Sequence, residues 1–331
     1  MSRKIMKPIT IMIALMLAIL PLSACNSASG VQGSDKLQIV TTIFPVYDWT
    51  ENVLGENPAD AEVTMLLDQG VDLHSFQPTA ADIMKISNCD VFIYVGGESD
   101  AWVADALKNV VNKDMKVVNL MEAIGDSAKE EEIVEGMQGE EEEDCEEEEE
   151  EGPEYDEHIW LSLRNAEVCT DAIAGAVSEA DPANKETYLK NAEDYKNHLA
   201  ELDEKYQETV DEAKVKTLLF GDRFPFRYMI EDYNLDYYAA FIGCSAETEA
   251  SFETIAFLSG KVDELNLKHV MIIEGSDGKI ASTIISNTKT KDQEILKLNS
   301  MQSVTSQDAE SGTAYLSVME QNLDVLREAL N

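Results

Sequence analysis

His74, His158, His198 and His269 are the only imidazoles among the 331 residues. A neutral imidazole is well suited to holding zinc or another first-row cation. His198 lies between charged neighbours in a helical stretch, and His269 precedes the apolar run Val270–Ile273; both read as structural. His74 follows Gly70-Val71-Asp72-Leu73, and His158 follows Asp156-Glu157. Both read as loop residues, and α/β folds present ligand-binding side chains on loops at strand ends. With 83 residues between them, spacing alone leaves two surface histidines as good a reading as two members of one site. The five cysteines, Cys25, Cys89, Cys145, Cys169 and Cys244, include no CxxC pair, so a zinc finger has no support. No HExxH, GxSxG or glycine-rich phosphate loop is present, which argues against a metallohydrolase, a serine hydrolase or a nucleotide enzyme.

The elements that must carry these loops are short strands alternating with helices. Leu37–Phe44 reads as a strand ended by Pro45, with a helix over Val46–Leu54 closed by Gly55. Ala61–Leu67 is a strand, Thr79–Ser87 a helix, Val91–Val95 a buried strand, Ala101–Val111 a helix and Lys116–Leu120 a strand. This alternation predicts an α/β lobe with a mostly parallel sheet flanked by helices over 37–180. Residues 130–157 interrupt it with 18 acids and no Lys or Arg, and predict a solvated, mobile loop. Asp181-Pro182 opens a long linking helix over 181–214, with Tyr188, Ala192, Tyr195, Leu199, Leu202 and Tyr206 at helical spacing. A second α/β lobe follows over 215–331, with strands at Thr217–Phe220, Tyr237–Phe241 and Val270–Ile273 and a closing helix over Tyr315–Leu330. One long rigid helix joining two lobes would limit their opening.

The N-terminus reads as an export signal over 1–24. Arg3, Lys4 and Lys7 precede a ten-residue apolar run, Ile11–Leu20, too short to span a bilayer. Leu22-Ser23-Ala24-Cys25 then resembles a bacterial lipobox, making Cys25 the lipidated first residue of the mature chain, with a Gly/Ser-rich tether to residue 36. The chain is expected outside the cytoplasm, lipid-anchored to the bacterial membrane, where a disulfide is possible but none is indicated. With 65 acids against 25 Lys and Arg, nucleic acid is excluded as a partner, whereas cations suit the surface.

The order of local motifs is similar to that of the zinc/manganese substrate-binding lipoproteins of bacterial ABC transporters. Phe44-Pro45-Val46-Tyr47 is followed by Gly70-x-Asp72-x-His74 with Phe76 and Pro78, then by Asp90–Gly96 with Trp102. After the acidic run come Asp156-x-His158-x-Trp160-Leu161, Tyr188 with Asn191, and Tyr315, Met319, Asn322 and Leu323. The resemblance implies a non-enzymatic, monomeric capture protein. It would hold Zn²⁺, with Mn²⁺ as the alternative, in an interlobe cleft and dock on an ABC permease. It implies His74 and His158 as ligands from the first lobe and two more from the second. At the place of the family's His-x-x-Phe-x-Tyr histidine stands Arg223, which cannot bind a cation, so Asp222 beside it is the substitute candidate. At the place of a late Asp stands Asn299, with Glu274 as the alternative carboxylate. Asp222 and Glu274 could instead form ordinary salt bridges with Arg223 or Lys279. The acidic run would collect cations beside the cleft, although its carboxylates also hold Ca²⁺ and Mg²⁺. A surface adhesion protein with a vestigial cleft and a secreted metallohydrolase are the rival readings.

Overall fold

Among the described residues, eight short runs rich in β-branched and aromatic residues form strands, all of them parallel. The computed structural model describes residues 36–108, 110–139, 154–245 and 249–331. The signal sequence, Cys25 and its tether to residue 35, and residues 140–153 with Cys145 lie outside the described residues. Among those described, no helix is long and apolar enough to cross a membrane.

The first sheet contains β1 (Gln38–Thr41), β2 (Glu62–Met65), β3 (Val91–Tyr94) and β4 (Lys116–Asn119), in the order β2-β1-β3-β4. The second contains β5 (Thr217–Phe224), β6 (Asp236–Ile242), β7 (His269–Ile273) and β8 (Glu294–Leu298), in the order β6-β5-β7-β8. Ile39, Val40, Val91, Phe92 and Ile93 are buried in one sheet, and Leu218, Leu219, Phe220, Val270 and Met271 in the other. Parallel sheets covered on both faces require such continuous apolar strands. In each sheet the first strand has its successor on one side and the third strand on the other. The carboxyl ends flanking that reversal of strand order are where such folds hold ligands.

The linking helix runs Lys185–Asp211, 27 residues and about 40 Å at 1.5 Å per residue. Tyr188, Ala192, Tyr195, Leu199, Leu202 and Tyr206 form its buried face. Near its start Asn191 Nδ2 donates to Val53 O at 3.0 Å, beside the first sheet. Near its end Tyr206 donates to Met319 O at 2.7 Å in the closing helix Tyr315–Ala329. One rigid element is therefore packed on both lobes.

Several features differ from the sequence expectations: β8 is an additional strand, β1 ends at Thr41 with Phe44 already helical, and three further differences bear on the site. An 18-residue helix, Leu163–Ala180, lies between the acidic run and the linking helix. It buries Ala166, Cys169, Thr170, Ile173, Ala174 and Val177. The helix expected over 101–111 is limited to Trp102–Leu107. The described arms of the acidic run are docked on the fold: residues 130–139 and 154–157 pair with each other and with β6, while Glu130, Glu132, Glu135 and Glu154 stay exposed. Glu130 bridges Tyr155, Glu131 N donates to Glu154 O at 2.9 Å, and Gln138 N donates to Ala240 O at 2.9 Å on β6. Val134 and Met137 supply the apolar contacts that acid content alone concealed, while Asp156 and Glu157 are buried.

Candidate metal centre

His74 is delivered by the chain leaving β2. Gly70, at φ +70°, makes a turn that a side chain would strain, since an added Cβ would also meet Ser303 O at 3.0 Å. Asp72 then caps a single 3₁₀ turn, Leu73–Ser75, by accepting from His74 N at 3.1 Å. His158 is delivered by the returning arm of the acidic run. Asp156 Oδ1 accepts from His158 N at 2.8 Å and faces His158 Nδ1 at 2.9 Å. The arm is fixed by Tyr228 of the second lobe, whose hydroxyl accepts from Lys129 N at 3.2 Å and donates to Asp156 O at 2.7 Å. Just beyond, Trp160 Nε1 donates to Ser300 O at 2.7 Å, and Tyr315 donates to Trp160 O at 2.7 Å.

These supports bring the two imidazoles together, with His74 Nε2 and His158 Nε2 3.2 Å apart. Two nitrogens 2.0–2.1 Å from one tetrahedral ion are about 3.3 Å apart, so the pair already has the separation of ligands on a single cation. Each Nδ1 faces oxygen: His158 Nδ1 faces Asp156, and His74 Nδ1 faces Ser99 Oγ at 2.8 Å and Glu157 Oε2 at 3.5 Å. An Nδ1–H directed at oxygen leaves Nε2 as the lone-pair nitrogen, the arrangement that orients metal-binding histidines. Glu157 is fixed in turn by accepting from Ser99 N at 2.7 Å. Burial, reinforced by the neighbouring His158, lowers the pKa of His74 to about 4. At neutral pH this imidazole is therefore uncharged and able to donate its lone pair.

The second-lobe carboxylates named from sequence are otherwise engaged. Asp222 accepts from Arg223 N at 2.9 Å and Ile273 N at 3.4 Å. Glu274 accepts from Ser300 N at 2.6 Å, Ser300 Oγ at 2.7 Å and Gln302 N at 3.1 Å, tying down the loop after β8. Asn299 Oδ1 accepts from Met301 N at 2.8 Å in the same loop. Among the described residues, neither Asp222 nor Glu274 joins the histidine pair as a ligating group. Neither Asp222 nor Glu274 forms the salt bridge considered for it: Arg223 pairs with Asp72, and Lys279 with Asp277. Burial raises the Asp72 pKa and the Arg223 guanidinium lowers it, with the net direction downward. Asp72, Asp222, Arg223, Glu274 and Gln302 line a cavity of about 820 Å³.

Two residues not singled out by sequence do approach the histidines. Cys244 follows β6, and its Sγ lies within 4.8 Å of a nitrogen of both His74 and His158. Gly243 makes this possible, because a Cβ there would meet His158 Cε1 at 2.9 Å. With its amide turned so that the nitrogen donates to Asp72 Oδ2 at 2.7 Å, Gln302 places its oxygen 3.0 Å from His158 Nε2, where it accepts when that nitrogen is protonated and faces the site when it is not. The one available signal for Cys244 was its position, just past a strand's carboxyl end.

A family model described as zinc-uptake complex component A, periplasmic, matches residues 39–329. The zinc-binding lipoprotein AdcA of Streptococcus pneumoniae is 33% identical over 98% of this chain and 61% of its own length. The chain thus spans less than two thirds of that relative. The high-affinity zinc uptake system protein ZnuA of Bacillus subtilis is 31% identical, with 93% of each chain covered. The crystal structure of the Zn(II)-bound ZnuA-like domain of S. pneumoniae AdcA superposes with a TM-score of 0.68 at 29% identity, covering 89% of this chain and 99% of that one. With its two parallel sheets, shared long helix and family match over nearly the whole described length, the chain belongs to the ZnuA family.

Proposed function

We propose that this chain captures a divalent transition metal, zinc in preference to manganese, and delivers it to the permease of an ABC importer. The observation that carries the reading is the pair of Nε2 atoms 3.2 Å apart, each on a ring whose Nδ1 faces oxygen. Two lone pairs at that distance repel unless a proton or a cation lies between them, and a zinc ion satisfies both. His74 and His158 are the ligands from the first lobe. Asp222 and Glu274 shape the second-lobe wall through their backbone hydrogen bonds. Burial of the pair favours capture without hydrolysis, because a catalytic zinc requires an open water position. Names of relatives support the cargo: AdcA is a zinc-binding lipoprotein, and the B. subtilis ZnuA is a high-affinity zinc uptake protein.

The same reading places the protein outside the cytoplasm as a monomer, held to the membrane by a lipid on Cys25. The acidic residues of 140–153 act as a weak collector that raises cation concentration near the cleft. Calorimetric titration of the metal-free chain with Zn²⁺ tests the proposal. One tight site is expected, lost in both His74→Ala and His158→Ala. A chain that takes up no zinc, or whose tight site survives both substitutions, refutes it.

A further inference from the structure

Two neutral imidazoles make an incomplete site, and the structure offers few hard anionic donors to finish it. Asp72 is neutralised by Arg223, Asp156 is turned to His158 Nδ1, and Glu157 is held by Ser99 N. Asp222 and Glu274 are committed to backbone N–H groups. The position otherwise filled is that of Cys244, a free cysteine on the second lobe with Sγ within 4.8 Å of both rings. A tetrahedral zinc with bonds of about 2.3 Å to sulfur and 2.0–2.1 Å to nitrogen needs an N···S separation of about 3.6 Å, so closing each N···S distance by at most about 1.2 Å completes the set. His158 is fully buried and faces this space, and the Gln302 oxygen 3.0 Å from His158 Nε2 supplies a neutral fourth contact.

We propose that Cys244 is the third metal ligand, completing a His₂Cys set with His74 and His158 that selects thiophilic ions of the zinc class and rejects Mn²⁺. This rests on the capture function proposed above. As the metal enters, the Cys244 S–H bond breaks and an S–metal bond forms. The proton passes to the carboxylate of Glu131, the acid beside that thiol. No electrons are exchanged. A thiolate is a soft ligand that suits zinc, whereas Mn²⁺ favours carboxylate, carbonyl and water oxygens. Cys244 also comes from the second lobe, so one ion bonded to it and to both histidines ties the lobes together. The cargo itself thereby reports its presence in the relative position of the two faces that a permease would read.

The test uses Co²⁺ as a spectroscopic stand-in for zinc. Wild type and Cys145→Ser are expected to show a near-ultraviolet thiolate-to-cobalt charge-transfer band at one equivalent, and Cys244→Ser to lack it. Zn²⁺ affinity should fall at least a hundredfold in Cys244→Ser and Cys244→Ala, while the already weak Mn²⁺ affinity changes less than threefold. Circular dichroism and melting temperature establish that the variants fold, and the wild-type cobalt spectrum requires no variant. A cobalt complex without the band, or zinc affinity unchanged in both folded variants while His74→Ala abolishes it, overturns the role of Cys244 and leaves zinc capture standing. A wild-type chain that binds no zinc overturns both.

Discussion

Replacing His74 with asparagine should change how folding stability depends on pH, and the size of that change follows from the site. In the unfolded chain a histidine takes up its proton near pH 6.5; in the folded, metal-free protein, burial and the adjacent His158 lower this to about 4. Between those values the unfolded state holds a proton that the folded state does not, so acidification favours unfolding. The contribution of His74 to stability is complete above about pH 6.5, declines as the pH falls toward 4, and is constant below that. The difference of about 2.5 pH units, at 1.36 kcal/mol each, amounts to about 3 kcal/mol. Raw stability curves would obscure this, because burial raises Asp48 to about 6 and Asp100 to about 7. Those carboxyls bind protons in the folded state first and so stabilise it on acidification. Subtracting the curve of His74→Asn from that of wild type removes both, provided each is measured by urea unfolding with chelator present at several pH values from 3.5 to 7.5. The stability advantage of wild type over variant should shrink by about 3 kcal/mol from pH 7 to pH 4. A difference that stays level to within about 0.5 kcal/mol, or grows on acidification, would refute the assignment of His74 as a buried neutral imidazole.

Other perturbations separate supporting residues from ligands. Glu274→Ala strips the partners from Ser300 N, Ser300 Oγ and Gln302 N. It should cost about 2–4 kcal/mol in urea unfolding while calorimetry still counts one tight zinc site; loss of that site in a folded variant would make Glu274 a ligand. Tyr228→Phe releases Lys129 N and Asp156 O, with an expected loss of about 1–2 kcal/mol and faster hydrogen exchange at Lys129. Arg223→His removes a fixed positive charge. A divalent ion several ångströms from a unit charge is repelled by an energy on the order of 1–3 kcal/mol at effective dielectrics of 80 to 40, so zinc should bind about tenfold tighter; unchanged or weaker binding would show that Arg223 does not oppose the ion. Deleting residues 140–153 should remove weak multiple binding and leave the tight dissociation constant within twofold, as read by calorimetry at low ionic strength.

How legible this site was depends on the range over which each part is specified. Asp72 and Asp156 accept the backbone N–H of His74 and His158 from two residues away, so a short motif contains each ligand and the group that fixes its turn, although the His74 ring itself is met by the distant Ser99. The linking helix was legible for a similar reason, since its buried face repeats at three and four residues. Helix Leu163–Ala180 has the same periodicity but follows the acid-rich run directly, and that run dominated the reading of its surroundings. The acidic arms show the limit of composition as a guide. Val134 and Met137 are sparse, yet they suffice to dock residues 130–139 once β6 offers a carbonyl at Ala240.

The second-lobe half of the site was illegible because no local pattern encodes it. Asp222 and Glu274 have the right chemistry and lie near strand ends, but N–H groups of β5 and β7 claim the oxygens of Asp222 and the loop after β8 claims those of Glu274, a requirement that appears only when strands and loops are assembled. Arg223 is the residue from which the rest follows. Its guanidinium takes Asp72 as its partner, which commits to an ion pair the carboxylate whose Oδ1 lies 4.0 Å from His74 Nε2. Gln302, whose amide bonds that same carboxylate, then turns its oxygen toward His158. A site that keeps two imidazoles but loses its accessible anionic oxygens has lost the donors that hold a hard cation. With the ligand set proposed above, the anionic donor that replaces them is the thiolate Cys244 forms on binding metal, so the choice of cargo would rest on that residue.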